Sequence, residues 1–340
     1  MDLSLARNLL DPAILFFFFG LFAAAVRSNL DIPAPIAKFF SLYLLVAIGF
    51  KGGVALATTG LTFTAVAAIL AALLMAVLVP AYSFLILRNR INPFDAAATA
   101  ATYGSISAVT FITAQQFLTR NGVDFGGHMT VAMVLMESPA IIMAVLLASL
   151  VRKRQELSLS PSVGAAAVAS KGPAQPISAK AVLHEAFTDG AHLLLIGSLV
   201  IGYVTGTSGK EVMAPFIGDI FKGILAFFLM EMGLLVARQL RESRDLGPFL
   251  MGFALVMPMV NAAVAISLAW FLNLSAGDTL LLACLAASGS YIVVPAICRY
   301  AIPEAKPGVY FSMSLAFTFP FNIVIGIPLY YSVITTVWGS

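Results

Sequence analysis

Apolar runs long enough to cross a lipid bilayer follow one another along almost the whole chain. A membrane-spanning helix needs roughly 20 consecutive apolar residues. Ten such windows occur, at residues 12–28, 35–57, 61–87, 93–118, 128–151, 190–206, 214–237, 247–272, 277–299 and 307–336. The chain is 60% hydrophobic and only 10% charged, whereas soluble proteins carry about 25% charged residues. The sequence therefore predicts an all-α integral membrane protein with ten transmembrane helices in the lipid bilayer.

The basic residues predict the orientation of these ten helices. When successive connections are assigned to alternate sides, 14 of the 19 lysines and arginines fall on one side. Cytoplasmic loops are enriched in Lys and Arg, so this side is predicted to be cytoplasmic. The protein is then expected in the inner membrane, with both termini outside, in the periplasm. The net charge of +3 is too small to indicate binding to nucleic acid.

A stretch of different composition divides the ten predicted helices into two groups of five. Residues 152–189 contain three successive basic residues followed by several Pro, Gly and Ser residues, which is typical of a flexible linker. The predicted organisation is a first five-helix repeat at 1–151, a cytoplasmic linker at 152–189, and a second five-helix repeat at 190–340.

Short motifs recur in the same order in the two halves. ATYGSISAV at 101–109 and AASGSYIVV at 286–294 share the pattern Gly-Ser-x-x-x-Val. The segments around Pro139 and Pro320, and the segments around Pro35 and Pro215, form two further pairs. Because each half has an odd number of helices, duplication requires the second half to be inverted relative to the first. Inverted repeats of this kind are found in secondary transporters.

Glycine and serine near the middle of the fourth and ninth spans predict that these two helices are broken. Backbone groups freed at membrane depth are tolerated where they line a cavity, and the helix N-terminus after each break favours an anion. We therefore predict a small-anion site lined by Gly104, Ser105, Ile106, Ser107, Gly289, Ser290 and Tyr291. The alternative interpretation is close helix packing through small residues.

Two charged residues inside the spans are further candidates for function. A charge near the bilayer centre costs about 2.5–3.5 kcal/mol on insertion scales. Glu137 lies near the middle of the fifth span, and Lys51 lies in the outer third of the second. Our hypothesis is that the Lys51 ammonium replaces a coupling cation and holds the anion beside Glu137. The alternative is that Lys51 extends outward to the membrane interface.

Several segments match motifs of one known family. LLVAIGFKGGVAL at 44–56 matches a second-span Ile-Gly-x-x-Gly-Gly segment, MESPAI at 136–141 a Met-Asp-x-Pro-Ala segment, and AIPEAKPGVY at 301–310 an Ile-Pro-x-Ala-x-Pro segment. Through these motifs the chain resembles the sodium-dependent bicarbonate permeases of the SbtA type. The resemblance implies ten spans, a homotrimer, bicarbonate bound between the two broken helices, and coupling to Na⁺. In some members of that family a PII-like regulatory protein blocks transport from the cytoplasmic side.

Three residues depart from the pattern of that family. Tyr291 stands where the family has an Asp in the ninth span, Lys51 replaces a Thr, and Glu137 replaces an Asp. Sodium prefers several hard oxygen ligands, so the loss of a carboxylate and the gain of an ammonium argue against a Na⁺ site of that form. The sequence predicts no other cofactor.

The sequence thus favours a secondary transporter of a small inorganic anion, with bicarbonate as the first candidate, working by alternating access at a midplane site. Enzymatic activity is not expected, since the sequence has no nucleophile-elbow, phosphate-loop or zinc motif. Two alternatives remain open. A passive anion channel would need a continuous wet pore, and a membrane receptor would need an ordered binding segment in the linker.

Overall fold

Helices account for the architecture throughout the described part of the chain. The computed structural model describes residues 10–159, 190–243 and 246–339, and within these ranges there is no β-strand. The helices are α1 (Pro12–Ala25), α2 (Ala34–Thr59), α3 (Phe63–Leu87), α4 (Pro93–Gly104), α5 (Ala108–Arg120), α6 (His128–Leu159), α7 (Gly190–Ala214), α8 (Ile220–Glu242), α9 (Pro248–Phe271), α10 (Ala276–Ala287), α11 (Val293–Ala301) and α12 (Pro307–Trp338).

These elements form the ten membrane helices expected from the sequence. Six helical stretches are long and apolar enough to cross a membrane, and one of them, Gly190–Glu242, contains both α7 and α8. The shorter apolar helix α1 adds another span. The remaining two spans are α4 with α5 and α10 with α11, each a pair of short helices joined by an interruption. Both the all-α class and the count of ten helices are confirmed.

The predicted linker lies only partly within the structure. Residues 152–159 continue helix α6, so the helix extends beyond the apolar window that ends at residue 151. Residues 160–189 lie outside the described residues.

Helices α1, α2, α7 and α8 pack as two pairs, which together we call the panel. In the α2–α7 pair, Gly49 faces Leu195 and Gly53 faces Leu199, so the two helices run in the same direction. A Cβ atom added to Gly53 would lie 2.0 Å from the Leu199 carbonyl oxygen. Glycine therefore lets the two backbones touch, as small residues do in membrane helix pairs.

The α1–α8 pair has the same design. A Cβ atom on Gly20 of α1 would lie 2.0 Å from the carbonyl oxygen of Met230, and one on Gly233 of α8 would lie 2.2 Å from that of Phe17. Further along both helices, the Arg241 guanidinium donates to the carbonyl of Ala24. Residues later in α1 therefore contact residues later in α8, which means that these two helices also run parallel.

The Gly53 contact leads to a first prediction. We expect Gly53→Ala to destabilise the protein by about 1–3 kcal/mol, because the added methyl group overpacks a backbone contact that cannot move aside. Thermal unfolding of the purified protein in detergent measures this effect. Gly197→Ala on α7 is the matched control, since a Cβ atom there meets nothing within 4 Å. Equal unfolding temperatures for the two variants would contradict the backbone contact.

The other helices, α3–α6 and α9–α12, form a second group that we call the core unit. Its most extensive contacts are internal, between α3 and α6, α3 and α4, α4 and α6, and α9 and α10. Two carboxylates connect the helices of the core unit that come from the first half of the chain with those from the second half. Asp95 of α4 accepts a hydrogen bond from the Lys306 N–H at 2.6 Å, and Asp278 of α10 accepts one from the Gly126 N–H at 2.7 Å.

Candidate functional site

The interruption in the fourth span follows from its sequence. Helix α4 ends at Gly104, and Ser105 adopts an extended backbone with ψ 178°. Ser107 then begins α5 as its N-cap, because its hydroxyl accepts a hydrogen bond from the Thr110 N–H at 3.2 Å. Serine favours this capping role over a helix interior. Residues 105–107 thus leave the helix where the Gly-Ser motif predicts.

The ninth span breaks in a similar way. Helix α10 ends at Ala287, and Ser288 is extended with ψ 166°. Helix α11 starts at Val293, where the Ser290 hydroxyl accepts from the Val294 N–H at 3.3 Å. Pro295 falls in the first turn of α11, where its missing N–H costs no intrahelical bond. The proline therefore starts the second half-helix.

The two interruptions cross and bond to each other. The Ser290 N–H donates to the Thr102 carbonyl oxygen at 2.9 Å, and the Ser107 N–H donates to the Ser288 hydroxyl at 3.0 Å. The Ser107 hydroxyl also lies 3.3 Å from the phenolic oxygen of Tyr291. Backbone groups that the breaks release are thus partly satisfied by the other broken helix, as burial in a membrane requires.

A cavity of about 70 Å³ opens beside this crossing, at the boundary between the core unit and the panel. The volume is comparable to a few water molecules or one small ion. The core unit contributes polar groups from both interruptions and from α6, and the panel contributes α2, α7 and α8. The residues that matter most below are Ile106, Ser107, Glu137, Ser290 and Tyr291 from the core unit and Ser41, His192 and Phe228 from the panel.

Glu137 and His192 face each other across this boundary. The His192 Nδ1 lies 2.6 Å from the Glu137 Oε2, and both side chains are buried, with relative exposures of 6% and 8% for the two residues. Buried ionisable groups require partners, and here each is the partner of the other. The contact joins α6 of the core unit to α7 of the panel.

The neighbours of α2 place this pair level with the middle of that helix. His192 lies three residues before Leu195, which faces Gly49, and Glu137 lies seven residues after Thr130, which faces Gly52. Because α6 runs opposite to α2 and α7 runs along it, both residues lie near the midpoint of α2. Two titratable groups therefore lie at the same depth as the interruptions of the fourth and ninth spans.

Five of the nine residues predicted from sequence line this cavity. These are Ile106, Ser107, Glu137, Ser290 and Tyr291. The other predicted backbone residues pack behind it. A Cβ atom on Gly104 would lie 2.7 Å from the Pro80 ring, and one on Gly289 would lie 3.2 Å from Ser314. The Ser105 hydroxyl is buried without a hydrogen-bond partner among the described residues.

Lys51 occupies a different place. Its Nζ lies 4.2 Å from the centroid of the Phe221 ring, a cation–π contact. It lines a second cavity of about 630 Å³, together with Asp124 and Lys210, towards the C-terminal ends of α2 and α7. We call it the outer cavity, because the basic residues of the sequence predict that this side faces outward. Within the described structure Lys51 and Glu137 therefore face separate cavities, and the ammonium does not lie beside the midplane carboxylate.

Sequence reasoning missed His192 and Ser41. In the sequence, His192 lies at the entry of the sixth predicted span, which begins at residue 190, and it has no metal-ligand spacing to another residue. In the structure, α7 at this position is already level with the middle of α2. The available signal was a histidine followed at once by the apolar run LLLIGSLV, with a carboxylate present at a comparable depth on another span.

The comparison with protein families agrees with this geometry. The family model of the Na⁺-dependent bicarbonate transporter superfamily matches residues 12–335, nearly the whole chain. No curated protein sequence is significantly similar to the chain.

Proposed function

The chain belongs to the Na⁺-dependent bicarbonate transporter superfamily, and we propose that it is a secondary transporter of a small inorganic anion, with bicarbonate as the first candidate, in the inner membrane. One observation carries the proposal. Residues of both interrupted helices line one cavity, and this cavity lies at the boundary between the core unit and the panel. Substrate sites of secondary transporters lie at such midplane crossings.

The local electrostatics suit an anion. Helices α5 and α11 both begin at the cavity, since Ala108 and Val109 of α5 and Val293 of α11 line it. Each helix N-terminus carries a partial positive charge and N–H groups without intrahelical partners. The hydroxyls of Ser41, Ser107 and Ser290 add neutral donors. The anion is then bound by dipoles and not by a positively charged side chain, so it can also be released.

The contacts described above support an inverted duplication. The first span packs against the seventh, and the second span packs against the sixth. If each span is replaced by its counterpart in the other half, the first of these contacts becomes the second. Asp95 of the fourth span binds the connection before the tenth, and Asp278 of the ninth span binds the connection before the fifth. Each contact thus has a counterpart five spans away.

The location of the cavity supports a mechanism of alternating access. Its walls belong to two groups of helices, so a displacement of the core unit against the panel would open it first to one side of the membrane and then to the other. A channel would instead need an open path on both sides at once.

Counterflow in proteoliposomes tests this function. Vesicles loaded with unlabelled bicarbonate should accumulate labelled bicarbonate transiently from outside, in buffers with and without Na⁺, and unlabelled formate, nitrate and chloride should compete according to their fit. Protein-free vesicles are the control, because they report leakage of CO₂. Failure of every anion to exchange would overturn the proposal, and equilibration at conductive rates without counterflow would favour a channel.

A further inference from the structure

We propose that Glu137 and His192 form a proton-carrying pair that couples anion transport to one proton. The inference rests on the proposed anion transport and names the coupling ion of the same cavity. Its basis is the 2.6 Å contact between two buried titratable side chains that both line the cavity. An ion pair that only stabilised the fold could lie at any depth in the protein. This pair lies in the cavity where the anion is expected to bind.

The net charge of the Glu137–His192 pair determines whether an anion can bind in the cavity. With one proton on Nδ1, shared towards Oε2, the imidazole is neutral and the pair carries a net charge of −1. A second proton on Nε2 makes the imidazole cationic and the pair neutral. At short range in a poorly solvated cavity, a net charge of −1 repels an anion strongly, so the anion binds to the doubly protonated form.

The remaining charged groups do not remove this repulsion. Among the described residues lining the cavity, Tyr291 is the only further titratable side chain, and its neutral phenol contributes a dipole. On the packed helices, Lys51 of α2 faces the outer cavity and Glu231 of α8 lies outside the lining. The other charged residues of α2, α5, α6, α7 and α8 lie towards helix ends.

Linkage then gives proton symport. If protonation favours anion binding, the bound anion favours protonation by the same factor. One anion of charge −1 and one added proton cross in each cycle. The loaded complex and the empty pair both carry a net charge of −1, so the complete cycle moves no net charge. On the cytoplasmic side the anion leaves, the proton leaves Nε2, and the pair returns with its single proton. The pair also bridges the core unit and the panel, so either released partner can meet solvent after the displacement.

Accumulation under a proton gradient tests the pair in the full-length protein. In Na⁺-free proteoliposomes at mildly alkaline pH, where bicarbonate predominates over CO₂, an inward gradient of one pH unit should drive labelled bicarbonate towards about tenfold accumulation within seconds. Protein-free vesicles under the same gradient are the control, because they approach that level only slowly, through formation and permeation of CO₂. A membrane potential set by K⁺ and valinomycin should not change the extent of accumulation, because the complete cycle is electroneutral. Accumulation driven by Na⁺ and indifferent to the pH gradient would overturn proton coupling while leaving anion transport intact.

Two substitutions have different expected effects. Glu137→Gln makes the unprotonated pair neutral, so uptake should lose its acceleration by the pH gradient and become sensitive to membrane potential. His192→Gln leaves the carboxylate without its histidine partner, so the negative charge should persist, counterflow should fall, and the acceleration by the pH gradient should be lost. Similar pH profiles for the unmodified protein and both variants would overturn the assignment.

His128→Gln provides the matched control. His128 is also buried beside a carboxylate, with Nε2 3.5 Å from the Asp278 Oδ2, but it lies outside the lining of the central cavity. This variant should keep both counterflow and proton-driven accumulation. Loss of pH dependence in His128→Gln as well would assign the effect to buried histidines in general. Absence of counterflow in the unmodified protein would instead reject the proposed transport function itself.

Discussion

Ser290→Trp is expected to reduce anion uptake to the level of protein-free vesicles. Ser290 lies at the ninth-span interruption, is 3% exposed, and lines the cavity of about 70 Å³. An indole ring at this position fills that volume and covers the start of helix α11. Uptake of labelled bicarbonate into proteoliposomes is the measurement, and thermal unfolding in detergent shows whether the variant is folded.

Two further variants separate blockage from misfolding. Ser290→Ala keeps the cavity open but removes one of the hydroxyl donors and the acceptor for the Val294 N–H. It should reduce uptake without abolishing it, and lose about 1 kcal/mol of stability. Ser267→Trp adds the same ring to an exposed position on α9 and should leave uptake unchanged. Normal uptake by a folded Ser290→Trp protein would place the anion path elsewhere.

Sequence was sufficient for the helices and their breaks because both depend on local features. Apolar length defines a membrane span, and a Gly-Ser-x-Ser run at 104–107 removes helix propensity and supplies a cap. The positions of Ile106, Ser107, Ser290 and Tyr291 at the cavity follow from these local rules and from matching the two halves. Glu137 was found because a carboxylate at membrane depth needs an explanation.

Residues whose role depends on how helices face one another were harder to predict. Lys51 lies only a few residues from the level of Glu137, yet the rotation of α2 about its axis turns the ammonium towards Phe221 and the outer cavity. Sequence spacing does not give that rotation. The depth of His192 depends on the register of α7 against α2, which close glycine contacts fix at Gly49 and Gly53. Such contacts form only in the packed structure.

The new position of Lys51 changes its expected contribution. The ammonium shares its cavity with Lys210 near the C-terminal ends of α2 and α7, where two positive charges in one cavity attract anions. The hypothesis that it replaces the coupling cation would require an ammonium at the central cavity, and the Glu137–His192 pair is the candidate there.

The central claim is that the core unit moves against the panel during transport, and three ion pairs allow a direct test. Arg120 at the end of α5 binds Asp11 before α1, so this pair joins the core unit to the panel. The Arg238–Asp31 pair, at 2.7 Å, lies within the panel. The Arg152–Glu304 pair, at 2.8 Å, lies within the core unit.

Each pair can be replaced by two cysteines and joined by a cleavable bis-thiosulfonate spacer, since ion-pair partners are too far apart at Cα for a direct disulfide. The two native cysteines are buried, which protects them from the reagent. Counterflow is measured before joining, after joining, and after reduction. We expect joining at positions 11 and 120 to abolish counterflow and reduction to restore it, while joining at 31 and 238 or at 152 and 304 leaves it unchanged. Undiminished counterflow with positions 11 and 120 joined would contradict a core unit that moves against the panel.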